Sequence, residues 1–157
     1  MNSKLKQIID ESVQLELNLA ELYKIFNQAF REDAYFWLTL SEEEERHATL
    51  IRKAGKIEIQ PDGILTEMLH TTLQELIDGN KKIVSFIVKY KSKPPSREEA
   101  FNVALEFEES AGEIHYQKFM EKHSDKILYQ LFQKLNKEDK DHIARLRSYM
   151  NEQGIIF

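Results

Sequence analysis

The chain has 157 residues, 27 acidic and 22 basic, for a net charge of −5. That is ample length for one hydrophobic core, and the acidic balance excludes the concentrated basic surface that nucleic-acid binding needs. With no cysteine there is no disulfide, iron–sulfur cluster, thiolate nucleophile or cysteine-held zinc. No run approaches the ~18 apolar residues of a membrane span, and Met1–Gln7 lacks the apolar core of a signal peptide. The expected protein is cytoplasmic, off the membrane and unconnected with nucleic acid.

Apolar periodicity predicts a first helix over residues 2 to about 32, with Ile8, Ile9, Leu15, Leu19, Leu22 and Phe26 on its stripe and Glu16 beside it. Asp33 is expected to cap a second helix over about 34–54, which Gly55 ends. Its inner face runs Trp37, Leu40, Glu44, His47, Ile51. That phase selects Glu44 as the inward acid and leaves Glu42, Glu43 and Glu45 to solvent. After turn residues Pro61-Asp62-Gly63, a helix over about 64–78 is predicted, broken or kinked at Gly79-Asn80 and continuing to about 91. Glu67-x-x-His70 falls off its stripe and reads as a surface pair. Ser92-Lys93-Pro94-Pro95 is the clearest break, and Ser96-Arg97-Glu98-Glu99 is a capping box for a helix over 97–122 with Glu109 at its middle. Ser124 or Asp125 is expected to cap the last helix, about 126–152, with the stripe Leu128, Leu131, Leu135, Asp139, His142, Leu146, Tyr149. The tail Gly154–Phe157 is apolar, suited to docking on its own helices or on a second copy.

Two apolar stripes are thus interrupted by an acid and, three residues on, a histidine. Positions i and i+3 share a helix face, so a carboxylate and an imidazole there can hold one metal ion. Alone, the pairing discriminates poorly, since three of the five histidines have an acid three residues before them. The repeat is more telling. Glu16 precedes Tyr23 by seven, as Glu109 precedes Tyr116; Glu44 follows Glu16 by 28 and Asp139 follows Glu109 by 30. Both acids have Leu four residues before and His three after. Two hairpins with matching internal spacing describe a duplicated helical bundle. Its candidate ligands are Glu16, Glu44, His47, Glu109, Asp139 and His142. Four buried carboxylates repel unless cations neutralise them, and a sulfur-free donor set suits Fe or Mn, with Zn also accommodated.

At these residues the chain resembles the rubrerythrin branch of the ferritin-like superfamily, over about residues 5–55 and 96–150. The resemblance implies an all-α, ferritin-like four-helix bundle in one domain. Hairpin 1 (about 2–55) and hairpin 2 (about 96–152) would be joined by a long crossover (56–95) containing one or two further helices. It implies two iron ions, bridged by Glu44 and Glu109 or their mates, with Tyr23 and Tyr116 as hydrogen-bond donors behind the ligands. The implied activity is reduction of peroxide, or reaction with oxygen or ferrous iron. Three features depart from the pattern: Asp139 stands where Glu is usual, Gly112 where the family carries an extra Glu, and the rubredoxin domain is absent. A peroxidase of this kind would take electrons from a separate donor protein. Iron oxidation for storage, which needs a cage of many subunits, and a non-enzymatic helical bundle with a decayed site are the competing readings; the exposed flank of the crossover helices also suits a homodimer.

Overall fold

The computed structural model describes residues 3–56, 63–120 and 127–157. For 63–72, 111–120 and 127–129, as for Ala54, Phe132 and Asn136, the description is of helical backbone alone. The protein is all-α: helices α1 (Ser3–Ala29), α2 (Ala34–Ala54), α3 (Gly63–Ser92), α4 (Arg97–Met120) and α5 (Ile127–Gln153), with a 3-10 turn at Arg31–Asp33. No described helix is long and apolar enough to cross a membrane.

The short turn folds α2 back along α1. On its other side α1 packs against α3, while α4 packs along α5. Contacts of α2 with α5 and of α1 and α3 with α4 bring the pairs together, and all five helices contribute to one apolar core. Its centre is aromatic: Trp37 lies within 5.0 Å of Phe26 and 4.4 Å of Phe101 by ring centroids.

The helix ends follow local chemistry. Ser96 Oγ accepts the Glu99 backbone N–H at 3.1 Å, the predicted cap of α4. At the end of α5, Gly154 takes φ +66°, and the Ile155 N–H reaches the Met150 carbonyl at 2.8 Å. This left-handed glycine closes the helix and turns Ile155 into the core, leaving Ile156 and Phe157 exposed.

Two expectations need correction, and a third, Gly55 at the end of α2, holds with a different backbone geometry. Asp33 does not cap α2 through its side chain; its buried carboxylate accepts two hydrogen bonds from Arg97, each 2.7 Å, and one from Tyr149 at 2.8 Å. Gly55 does close α2, but with ordinary right-handed geometry. It is needed for close approach, since a Cβ there would lie 2.7 Å from Ile9 Cγ2. Finally, α3 runs unbroken through Gly79-Asn80. Asn80 is buried against α1, donating to Glu11 and accepting from Asn18 at 3.0 Å. Those bonds, at ~0.5–1.5 kcal/mol each, outweigh the roughly 1 kcal/mol of helix propensity that Gly79 costs. The expected turn at Pro61-Asp62 and the cap at Ser124 or Asp125 lie outside the described residues.

Candidate metal centre

Glu16 from α1, Glu44 and His47 from α2, and Asp139 and His142 from α5 converge inside the helices, all buried. The fourth carboxylate is Glu108 of α4, not Glu109. Glu108 is fully buried, with Oε1 accepting the Tyr23 hydroxyl at 2.5 Å and Oε2 lying 3.5 Å from His142 Nδ1. Glu109 faces solvent and pairs with Arg147. The sequence repeat picks the neighbour because Glu109, like Glu16, has a tyrosine seven residues on. The side chains of Tyr116, Gly112, Glu67 and His70 lie outside the described residues.

Glu44 is the hub. Its Oε2 lies 3.0 Å from His47 Nδ1 and its Oε1 3.0 Å from His142 Nδ1, and the two imidazoles are stacked 5.4 Å apart. Two groups of three therefore form, Glu16–Glu44–His47 and Glu44–Asp139–His142. Within each, the potential ligand atoms lie within 4.8 Å of one another, so each can hold a metal ion. Glu16 Oε2 is 3.6 Å and Asp139 Oδ1 3.9 Å from His47 Nδ1.

Six buried atoms of this cluster have no hydrogen-bond partner: Glu44 Oε1, His47 Nε2, Glu108 Oε2, Glu138 Oε2, Asp139 Oδ2 and His142 Nδ1. Glu44 Oε1 and His142 Nδ1 are at hydrogen-bonding distance yet off the hydrogen-bond axis. Buried polar groups are rarely left unpaired, because each costs ~1–3 kcal/mol. A cluster of oxygen and nitrogen lone pairs turned toward one space is what a cation would satisfy.

The electrostatics agree. Burial, then repulsion from Glu44, holds the Glu16 carboxyl well above the usual range. Burial and the charges of Glu108 and Glu44 do the same to Asp139, and burial and Glu44 raise Glu108. Burial also pushes Glu44 upward, but the flanking imidazoles outweigh it and hold that carboxyl well below its ordinary value. Burial alone would lower His47; hydrogen bonding to Glu16 and Glu44 raises it to about 11. His142 is raised too, by Glu108, Glu43 and Glu44 against its burial. Without metal, protons supply the positive charge that the carboxylates demand.

The outer edges of the two histidines reveal an arrangement that sequence reasoning missed. His142 Nε2 bonds Glu43 at 3.0 Å, and His47 Nε2 lies 2.7 Å from Glu138 Oε2, an ion-pair contact off the hydrogen-bond axis. Each supporting acid immediately precedes the motif acid of its own helix and serves the histidine of the other. Glu43 is therefore not simply solvated: it also pairs with Arg145, and its pKa falls to about 2, burial being outweighed by His142 and Arg145. The neighbours Glu42 and Glu45 are exposed or half-exposed, Glu45 pairing with Lys24, as expected. The signal was present, since Glu43-Glu44-x-x-His47 is matched by Glu138-Asp139-x-x-His142. At His142 the Glu43 carboxylate holds the N–H on Nε2 and leaves the Nδ1 lone pair free for a metal; Glu138 stands close enough to His47 Nε2 to do the same after a small rotation. Glu43→Gln and Glu138→Gln are each expected to weaken metal binding, by roughly 10–100-fold, with helix content unchanged. Metal titrations against a competing chelator, with circular dichroism on the same samples, check this.

Comparison of the chain with family models, with curated proteins and with solved structures gave no match. The functional reading accordingly rests on the site.

Proposed function

We propose that this chain is a ferritin-like di-iron protein of rubrerythrin type that reduces peroxide, with oxygen as the alternative oxidant. The observation that carries the reading is Glu44, one oxygen turned to each histidine and shared by two potential metal groups. Glu16, Glu44 and His47 would hold one iron, and Glu44, Glu108, Asp139 and His142 the other, with Glu44 between them. The donor set fits: four carboxylates cancel the charge of two divalent cations, and oxygen and nitrogen ligands without sulfur suit Fe or Mn. In the ferritin-like arrangement, α1–α2 and α4–α5 are the two hairpins and α3 belongs to the crossover.

When bound, iron supplies Lewis acidity and the electrons that reduce peroxide. The protein's own part is positional and protonic. Glu43 fixes the His142 imidazole by a hydrogen bond, and Glu138 lies in ion-pair contact with that of His47. Tyr23 donates to Glu108, restrains that carboxylate's rotation and holds a proton next to the centre. The aromatic core beside Tyr23 excludes water, so the site's charges act in a medium of low dielectric. Having no cysteine, the chain must draw its reducing equivalents from outside itself.

The test is anaerobic reconstitution with ferrous iron, then rapid mixing with hydrogen peroxide. About two irons per chain are expected, with oxidation much faster than that of free ferrous iron. Failure to retain iron, or oxidation no faster than in free solution, overturns the reading.

A further inference from the structure

A surface groove runs between α2 and α5, and none of the candidate metal ligands lines it. Glu32, Tyr35, Phe36 and Thr39 form one wall, from α2 and the turn before it. Arg145, Ser148, Tyr149 and Glu152 of α5 form the other. Both sets keep the spacing i, i+3, i+4, i+7, which places each on a single helix face. The two walls run antiparallel, since Tyr149 bonds Asp33 while Arg145 pairs with Glu43. Glu32 and Glu152 therefore stand at one end of the groove, the aromatic rings in its middle, and Thr39 and Arg145 at the other end. The cavity measures about 350 Å³, room for a small organic molecule.

The acidic end carries more negative charge than its surroundings cancel. Glu32, Asp33 and Glu152 gather there around Arg97, which Asp33 holds with two 2.7 Å bonds. Glu32 is left 3.7 Å from the same guanidinium. Glu152 is exposed and, among the described residues, has no cation on it. At the far end Arg145 is already neutralised, by its pair with Glu43 and by Asp141 at 2.9 Å. In between, Phe36 and Tyr149 stack at 4.3 Å, and Tyr35 is 83% exposed. The Tyr149 hydroxyl is engaged by Asp33, so this residue offers the cavity its ring. Aromatic rings beside carboxylates attract a cation, most of all one wrapped in alkyl groups, which gives up little hydration. Both glutamates repel an anion.

We propose that this groove binds a small organic cation, an ammonium bearing alkyl groups. Its charge lies toward Glu32 and Glu152 and its alkyl groups lie against Tyr35, Phe36 and Tyr149. The Thr39 hydroxyl donates to the Tyr35 carbonyl at 2.9 Å, which leaves its lone pairs for a hydrogen-bond donor at the ligand's other end. The site uses no metal and stands or falls independently of the reading of the metal centre.

The experiment uses the full-length chain at low ionic strength, with choline as probe. Its control is the uncharged alcohol of the same shape, with carbon in place of the nitrogen. Binding is followed by nuclear magnetic resonance, as saturation transfer from the protein to the methyl protons of either compound. Saturable binding of choline is expected, clearly tighter than that of the alcohol. Tyr35→Ala should weaken it about 2- to 5-fold, and the double variant Glu32→Gln/Glu152→Gln should lower it to the level of the alcohol. Leu38→Ala, an exposed apolar residue of α2 outside the cavity, should change nothing. All four replaced side chains are exposed, so circular dichroism should show unchanged helix content. Equal affinity for choline and the alcohol, or full choline binding by the double variant, overturns the cationic ligand. Absence of saturable choline binding, or equal weakening by Leu38→Ala and Tyr35→Ala, overturns the site itself.

Discussion

Glu44→Ala is expected to abolish retention of both metal ions, while Glu109→Ala leaves metal content at the wild-type level. Glu44 is the one side chain common to both potential ligand groups, so its loss removes a donor from each half at once. It also removes the anion lying between His47 and His142. Glu16 stands beside His47 and Glu108 beside His142, so neither takes its place between the two imidazoles. Glu108→Ala should strip the α4 donor and leave the Tyr23 hydroxyl without an acceptor, at a stability cost of about 1–3 kcal/mol. Glu109→Ala removes only an exposed pair with Arg147, for which about 0–1 kcal/mol is usual. Iron content after anaerobic loading and desalting, with circular dichroism to establish that each variant is helical, gives the answer. Full metal retention by Glu44→Ala, or loss in Glu109→Ala, would show that the ions are not held by these side chains.

The contrast between Glu108 and Glu109 shows where sequence reasoning reaches its limit. In α2 and α5 the inner stripe is narrow, so Trp37, Leu40, Glu44, His47 and Ile51 announce one phase, as do Leu135, Asp139, His142 and Leu146. Both pairs were legible for that reason. Helix α4 packs against α5 on one side and α3 on another, with Phe107 edge-on to Phe86. It is therefore buried at Ala100, Phe101, Val103, Ala104, Leu105 and Phe107, too broad an apolar surface to define one inward phase. The repeat then selected the acid with a tyrosine at the matching interval, one residue out of register. The unbroken α3 fails for a different reason. Gly79-Asn80 is a local breaking signal, and what overrides it are hydrogen bonds to Glu11 and Asn18, more than sixty residues away in the chain. The same holds for Glu43 and Glu138, whose partners belong to the opposite hairpin. Local pattern specifies which face of a helix turns inward, but not which distant group waits there.

Arg97→Ala is expected to destabilise the protein by about 2–3 kcal/mol, somewhat less than breaking a fully buried ion pair costs, since Arg97 keeps part of its side chain in solvent. Asp33 is 1% exposed and sits in the turn between α1 and α2. Arg97 grips both of its carboxylate oxygens from the first residue of α4, and Tyr149 donates to it from the last turns of α5. Three separate chain segments are joined at one charge. Without Arg97 the carboxylate stays buried with the Tyr149 hydroxyl and its surroundings unable to neutralise it. At roughly 2–4 °C per kcal/mol for a chain of this size, the midpoint of thermal unfolding should fall by several degrees. The double variant Asp33→Ala/Arg97→Ala separates the causes. If the uncompensated charge dominates, removing it as well should recover part of the loss, and the two substitutions will be clearly non-additive. If the double variant is instead as unstable as the sum of the singles, lost packing is responsible. An Arg97→Ala protein that unfolds at the wild-type temperature would mean the clamp contributes nothing. Because these residues supply no donor to the metal groups, the shift in midpoint should be similar with and without bound iron, which sets it apart from any substitution at Glu44 or Glu108.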